Sequence, residues 1–194
     1  MENNAEQGFN CMEGKLLVAS PNLDDNCFEK SLVYLCAHDK DGAIGVIINH
    51  KIGAITAQEL AKFAKIQSKG SIDKKFPVLF GGPVYTDKVV VLCMNKHKEK
   101  ILRQHQGVTL YTDLEHFLHE YSKGHLQEKL LFAKGVAIWE SGQLEAEVES
   151  NAWFLVPTTA DFLFSQRIKD KWSAIMRDLG VESFHNLVCY SGNA

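Results

Sequence analysis

The stretch from Ser31 to Asn49 reads SLVYLCAHDKDGAIGVIIN, and it determines the class of fold. Its two halves, 31–38 and 43–49, are rich in β-branched and other apolar residues, and Asp41-Gly42 joins them. An Asp-Gly pair between two such runs predicts a β-hairpin, because glycine accepts the positive φ of a tight turn. Both halves are apolar on both faces, so we expect two central antiparallel strands that are covered on each side.

Further strands and helices are predicted on either side of this hairpin. Capping boxes at Thr56–Glu59 and Thr112–Glu115 predict one helix over 57–67 and another that follows residue 112. A last helix is expected near 170–179, with Gly180 as its C-cap. Strand-like runs occupy residues 15–19, 76–80, 88–94, 129–138 and 151–156.

Three glutamates, Glu145, Glu147 and Glu149, alternate with Ala146 and Val148. Spacing of period two places all three carboxylates on one face of a strand. We interpret the segment as an exposed edge strand that charge protects from pairing with other chains. Acid–base or metal chemistry by the paired carboxylates is the alternative.

The order of the predicted elements does not alternate strand with helix. It favours the α+β class, with a mostly antiparallel sheet that curls into a small central barrel and is flanked by helices. Residues 1–13 are expected to be a flexible lead-in and residues 14–194 a single domain. No linker rich in Gly, Ser or Pro divides the chain.

Composition excludes several classes of protein. The 194 residues are 45% hydrophobic and carry a net charge of −3, which gives no electrostatic attraction to DNA, RNA or an anionic membrane. The polar, acidic start of the sequence is unlike a secretory signal, and no run approaches the roughly 20 apolar residues of a spanning helix. The five cysteines are odd in number and form no CxxC pair, so we expect free thiols and a cytoplasmic location.

No local motif identifies an enzyme, a metal site or a cofactor. The turn at 39–42 departs from a calcium loop at its ligand positions. His116 and His119 lie opposite the apolar stripe of their predicted helix, which is typical of a solvated face. The basic stretch 96–105 lacks the interleaved aromatic residues that stack on bases. Residues 81–83 (GGP) lack the lysine of a phosphate-binding loop, and we interpret them as a tight turn.

Three separated strings occur in the same order as in a known family. They are GKLLVASPNLDDNCFEKSLVYLCAHDKDGAIGVIIN at 14–49, FGGPV at 80–84 and WESGQLEAEVESNAW at 139–153. Over about residues 14–180 the sequence therefore resembles the YqgE/AlgH family of bacterial proteins. Two positions depart from the family's pattern. Lys30 stands where the family usually has arginine, and 135–139 reads GVAIW where the family usually has GYAGW.

The resemblance implies a complex α/β fold with a small closed barrel at its centre. It also implies that the protein is bacterial and cytoplasmic. It also brings a transcriptional-regulator label without an established biochemical activity. The sequence contains no helix-turn-helix pair and no basic recognition face, so we do not expect direct DNA binding. The expected partner is therefore a protein or a small molecule.

Two functions remain open. The first is a non-enzymatic cytoplasmic regulatory or interaction protein. The second is a small-molecule-binding protein or enzyme whose pocket is built from non-contiguous residues at strand ends. We expect segments 80–84 and 139–151 to meet in space, whereas in the alternative the glycines form turns and the tryptophans fill the core. The candidate binding residues are Asn49, Gly81, Gly82, Pro83, Trp139, Gly142, Gln143, Asn151 and Trp153.

Overall fold

The computed structural model describes residues 11–56, 58–59, 62, 75–94, 104–105, 107–122, 129–165 and 168–180. The strands are β1 (Leu16–Ala19), β2 (Leu32–Asp39), β3 (Gly42–Ile47), β4 (Lys51–Thr56), β5 (Lys75–Phe80), β6 (Val84–Met94), β7 (Gln104–His105), β8 (Val108–Tyr111), β9 (Leu130–Glu140) and β10 (Trp153–Val156). The helices are α1 (Leu114–Ser122), α2 (Gln143–Glu149), α3 (Ala160–Leu163) and α4 (Lys171–Asp178). No helix in these ranges is long and apolar enough to cross a membrane.

Strands β2 and β3 form the predicted antiparallel hairpin. Both are interior strands, because β2 also pairs with β1 and β3 also pairs with β9. Alternate residues of β2 enter different apolar clusters, with Leu32 and Tyr34 in one and Val33 and Leu35 in the other. The sequence prediction of two central strands covered on both faces is therefore confirmed.

The sheet runs in the order β10-β1-β2-β3-β9-β6-β8-β7, and β5 and β4 branch from it at β9. The pairings are antiparallel except that between β5 and β9, which is parallel. The α+β class is confirmed, and the sheet is mixed.

The predicted small central barrel is wrong, because the sheet formed by the described strands stays open. The physical reason lies in β9, which is 11 residues long and changes partners along its length. Its first part lies between β5 and β6, and its last part pairs with β3. Gly135, which has a φ of 75°, lies where the partners change. The sheet therefore branches at this point instead of curling onto itself.

Each helix packs on the sheet through one or two buried apolar residues. Helices α3 and α4 contribute Leu163, Ile175 and Met176 to the first cluster. Helix α2 contributes Leu144 to the cluster on the opposite face, and α1 contributes Phe117 to a third cluster over β6 and β9. This arrangement follows from the amphipathic spacing of the helices, since each turns one apolar stripe toward the sheet.

The edge strand predicted from the alternating glutamates is wrong, because they lie on α2. Gly142, with a φ of 75°, precedes this helix, and Asn151, with a φ of 60°, follows it. The segment 143–149 between them consists mainly of Gln, Leu, Glu and Ala, which are strong helix formers. The helix propensity of these residues outweighs the period-two pattern that predicted a strand, and a left-handed residue lies at each end of the helix.

The capping residues predicted for the helices agree with the structure at some ends and differ from it at others. In the Thr56–Glu59 capping box each backbone N–H bonds to the other residue's side-chain oxygen, at 2.7 and 3.1 Å, as predicted. Most of the helix predicted over 57–67 lies outside the described residues. The N-cap of α1 is Asp113 rather than Thr112, since the Asp113 carboxylate accepts the backbone N–H groups two and three residues further on. Helix α4 ends at Asp178 with Leu179 as its C-cap, so the C-cap predicted at Gly180 is one residue late, and Gly180 follows with a φ of 73°.

Candidate functional site

Trp139 and Trp153, two of the candidate binding residues, share one hydrogen-bond acceptor. Their indole N–H groups donate to Glu147 Oε2 at 2.8 and 2.7 Å, and their rings meet edge to face with centroids 6.1 Å apart. Gln143 Nε2 donates to the other carboxylate oxygen, Oε1, at 2.9 Å. Because a buried N–H without an acceptor is costly, Glu147 allows both tryptophans to be buried beneath α2.

Phe28 completes this aromatic cluster from the loop between β1 and β2. Its ring centroid lies 5.5 Å from that of Trp153 and 6.2 Å from that of Trp139. The phenylalanine is half-buried, whereas the residues on either side of it are exposed. The aromatic cluster therefore attaches both α2 and this loop to the sheet.

A buried histidine, His38, joins the same helix to β2, and sequence reasoning missed it. Its Nδ1 accepts the Met12 N–H at 2.9 Å, so Nε2 carries the ring proton and donates to Glu145 Oε1 at 3.0 Å. Two of the three alternating glutamates, Glu145 and Glu147, are thus engaged in holding α2 on the sheet.

Gly81 and Gly82 are buried and cross directly over β9, so the tight turn predicted there is wrong. The Gly81 N–H donates to Lys134 O at 2.8 Å. A Cβ on Gly82 would lie 2.2 Å from the carbonyl carbon of Val136 and 2.3 Å from the nitrogen of Ala137. The FGGPV string therefore serves a close approach of two backbones that only glycine permits.

Gly135 is the opposing glycine of this crossing. A Cβ there would lie 2.3 Å from Gly82 O. Val136 and Ile138 stand where the related family usually has tyrosine and glycine. The close approach of the two segments is retained in spite of these departures.

The other candidate residues are distributed around this region. Asn49 is buried, its Oδ1 accepts the Leu32 N–H at 2.8 Å, and its Nδ2 donates to Lys30 O at 2.8 Å. It therefore fastens the end of the β1–β2 loop, where Lys30 adopts a φ of 52°. The exposed candidates are Pro83, Gly142, Gln143 and Asn151.

Phe80, of segment 80–84, packs against the apolar cluster that contains Trp139 and Trp153. The polar groups of Asn49, Trp139, Trp153 and Gln143 are all bonded within the protein. A binding role for the nine candidate residues stays a prediction.

The other residues considered in the sequence analysis are the histidines of α1, the basic stretch, possible metal-binding groups and the cysteines. His116 and His119 are exposed on α1, as the sequence predicted. The side chains of the basic stretch 96–105 lie outside the described residues. In the part of the chain that the structure describes, no three His, Cys, Asp or Glu side chains are grouped so as to hold a metal ion. Cys11, Cys27, Cys36 and Cys93 are free thiols.

Two adjoining cavities near the start of α4 were not anticipated from the sequence. The first, of about 500 Å³, lies between the β4–β5 hairpin and residues 168–170. The second, of about 440 Å³, lies between α3 and α4. Asp170 lines both, and we call the pair the basic groove. Its cationic lining residues are Lys51, Lys75 and Lys169 in the first cavity and Lys171 and Arg177 in the second.

The basic groove combines these charges with apolar and hydroxyl surfaces. Ala54, Pro77 and Ile168 provide apolar walls in the first cavity. Phe162 and Ala174 do so in the second cavity, which Ser165 and Ser173 also line. Five cations against the single carboxylate of Asp170 give the groove a sign opposite to the net charge of the chain. Such a lining suits a small anion with an apolar part.

Lys171 is the most deeply buried of the five cations, at 2% exposure. Its Nζ donates to Leu163 O at 2.7 Å and lies 5.6 Å from the centroid of the Phe162 ring. No carboxylate within the described residues forms an ion pair with it. Desolvation by burial lowers the pKa of Lys171 to about 8, since the ammonium group loses most of its surrounding water.

The sequence contains one signal that could have located this lysine. Lys171 stands four residues before Ile175, so it lies on the buried face of a helix whose other residues on that face are apolar. The three lysines of the first cavity come from three separate segments of the chain. No spacing rule joins such distant positions, so the groove as a whole required the fold.

Comparison with known proteins places the chain in a family. The model of the AlgH-like family matches residues 16–183. A UPF0301 protein from Buchnera aphidicola is 33% identical over 183 residues, covering 92% of this chain and 95% of the relative. A UPF0301 protein from Pectobacterium carotovorum is 33% identical over 191 residues, covering 94% and 99%.

Solved structures agree with these matches. The solution structure of the AlgH protein from Pseudomonas aeruginosa has a TM-score of 0.71 and 28% identity, covering 100% of this chain and 98% of that one. A crystal structure from Corynebacterium diphtheriae has a TM-score of 0.66 at 19% identity, covering 92% and 90%, and supports the fold alone. The chain belongs to the AlgH-like family.

Proposed function

We propose that this protein is a non-enzymatic cytoplasmic binding protein that takes a small anionic molecule into the basic groove. A regulatory effect would then follow from the occupied or empty state of the groove. The observation that carries the proposal is the concentration of five cations around two adjoining cavities in a chain whose net charge is −3.

The size of the groove supports a small molecule. Cavities of about 500 and 440 Å³ fall within the roughly 300–1,000 Å³ that small-molecule sites usually occupy. The cationic residues that line the groove provide electrostatic attraction, and its apolar residues help to orient the ligand. A duplex nucleic acid needs a long stripe of phosphate-neutralising cations instead, so direct DNA binding is no part of the proposal.

The buried lysine supports an anionic ligand in particular. An ammonium group without a carboxylate partner in a poorly solvated position costs free energy. An anion bound in the adjoining cavity would lower that cost, and the attraction would be stronger there than at the surface. The aromatic cluster beneath α2 is less suited to a ligand, since Glu147 already accepts from both indole groups.

The proposal is tested by calorimetric titration with inorganic pyrophosphate as the probe anion. Replacing Lys51, Lys75 and Lys169 together by glutamate reverses the charge of the first cavity. A matched control replaces three exposed lysines outside the groove, Lys40, Lys62 and Lys134, by glutamate. It changes the net charge by the same amount as the groove variant. We expect the affinity for pyrophosphate to fall at least tenfold in the groove variant. In the control, we expect it to fall less than twofold apart from the loss that the change in net charge alone causes. Equal losses in the two variants, or no binding by the wild type, would refute it.

A further inference from the structure

The geometry around Lys171 points to a covalent step: we propose that this lysine forms a reversible imine with a small anionic aldehyde or ketone bound in the basic groove. The inference rests on the proposed function, because the groove's cations attract the anionic part of the ligand. It adds the chemical class of that ligand and the atom that recognises its carbonyl group.

The amine is held at the wall of a cavity large enough for the carbonyl compound. Lys171 lines the cavity of about 440 Å³ together with Phe162, over whose ring its Nζ lies. The hydrogen bond to Leu163 O uses one of the N–H groups and fixes the position of Nζ at the end of α3. A positioned amine that is not tied to a carboxylate keeps its lone pair available once it loses a proton.

Burial raises the population of the reactive amine at neutral pH. With the pKa of Lys171 lowered to about 8, about 10% of the groups are unprotonated at pH 7, against well under 1% for an exposed lysine. Even after allowance for the weaker nucleophilicity of a less basic amine, we expect reaction about tenfold faster than at an exposed lysine.

The step is balanced without an oxidant or reductant. The Nζ lone pair attacks the carbonyl carbon, and the carbonyl oxygen takes up a proton to give a carbinolamine. The carbinolamine hydroxyl then takes a second proton from Nζ and leaves as water. Overall, a carbon–nitrogen double bond replaces the carbon–oxygen double bond of the ligand. Ser165 and Ser173 line the same cavity and offer hydroxyl groups to the carbonyl oxygen. Hydrolysis reverses the sequence and releases the ligand unchanged.

A purely structural role for Lys171 predicts a different behaviour. In that role its ammonium group only caps the carbonyl end of α3, as basic side chains do at helix C-termini. A capping lysine that is 2% exposed would react more slowly than every exposed lysine of the chain. The relative labelling rate therefore separates the two roles.

The test uses pyridoxal 5′-phosphate, an aldehyde that carries a phosphate, with cyanoborohydride to trap the imine at pH 7. Mass spectrometry of proteolytic peptides gives the labelling rate at each lysine. We expect Lys171 to be labelled about tenfold faster than Lys40 and Lys134, and pyrophosphate to slow that labelling at least fivefold. The variant Lys171→Met should lose the fast phase, while Lys40→Met keeps it. If Lys171→Met does not fold, the site-resolved rates in the wild type decide.

The outcomes separate this inference from the proposed function. Pyrophosphate binding with slow labelling of Lys171 overturns the imine and leaves the groove as an anion site. Fast labelling of Lys171 that pyrophosphate does not slow supports the imine and contradicts the anionic class of ligand. Slow labelling together with no pyrophosphate binding overturns both.

Discussion

Replacing Glu147 by alanine removes the acceptor that two buried indole groups share. Trp139 and Trp153 are 4% and 3% exposed, and both donate to the same carboxylate oxygen. In Glu147→Ala both N–H groups lose their partner while remaining under α2. Each stranded donor costs about 1–3 kcal/mol, so we expect the free energy of unfolding to fall by about 2–6 kcal/mol.

Two companion variants separate the hydrogen bonds from the charge and from the helix. Glu147→Gln keeps a side-chain oxygen within reach of both indole groups, so it should cost about 1 kcal/mol, the difference between a charged and a neutral acceptor. Its amide group would meet Gln143 Nε2, but Gln143 is exposed and can turn away. Glu149→Ala changes an exposed residue of the same helix and should stay within about 0.5 kcal/mol of wild type.

Urea unfolding followed by tryptophan fluorescence measures these differences. The expected order of midpoints is wild type and Glu149→Ala together, then Glu147→Gln, then Glu147→Ala, with similar slopes. A Glu147→Ala midpoint equal to that of Glu149→Ala would refute the reasoning, because the indole groups would then have another acceptor. Equal losses in the alanine and glutamine variants would show that the charge, not the shared oxygen, stabilises α2.

Four further outcomes are expected. Gly82→Ala should cost more than about 3 kcal/mol by urea unfolding, because its Cβ would overlap the β9 backbone, whereas Gly142→Ala, at a positive φ but in open space, should cost about 1 kcal/mol. Iodoacetamide at pH 8 should label Cys27 and spare Cys36 in the native protein, since burial raises the pKa of the Cys36 thiol and shields it. Because the pKa of Lys171 is about 8 in the folded protein and ordinary in the unfolded chain, the unfolded chain binds the extra proton above pH 8. Stability should therefore rise between pH 8 and about 10 by up to about 3 kcal/mol, and Lys171→Met should lack this rise. A mobility-shift assay at physiological salt should show no binding of duplex DNA at micromolar protein, and a sequence-selective shift would contradict the DNA prediction.

The central hairpin could be predicted from the sequence because its signals are local. Apolar residues on both faces and the Asp-Gly joint need no knowledge of the rest of the chain, and the structure pairs 32–39 with 42–47. The left-handed glycine after the last helix, Gly180, followed from an equally local rule, although the C-cap itself is Leu179.

The errors arose where two local signals competed or where distant segments decided the outcome. In 143–149 the period-two glutamates suggested a strand, but helix propensity and the left-handed residues at both ends prevailed. Gly81 and Gly82 have the composition of a turn. They are glycines because the chain crosses close to the β9 backbone at these positions, where a Cβ would overlap it. The barrel failed because the change of partners along β9 depends on pairings between segments far apart in sequence.

The candidate site shows the same division. The two tryptophans and Gln143 were selected as candidates from the sequence, but their bonds to Glu147 became visible only with α2 in place. The basic groove joins Lys51, Lys75 and residues 169–177, and no pattern in the sequence links them.

The most direct test of the anionic-ligand proposal is an NMR titration of the ¹⁵N-labelled protein with pyrophosphate, which locates binding without assuming a function. We predict saturable shifts of the backbone amides at Lys51, Lys75 and 169–174, with little change at 143–151. Absence of saturable shifts, or shifts confined to 143–151 and the aromatic cluster, would contradict the proposal that the basic groove is the functional site.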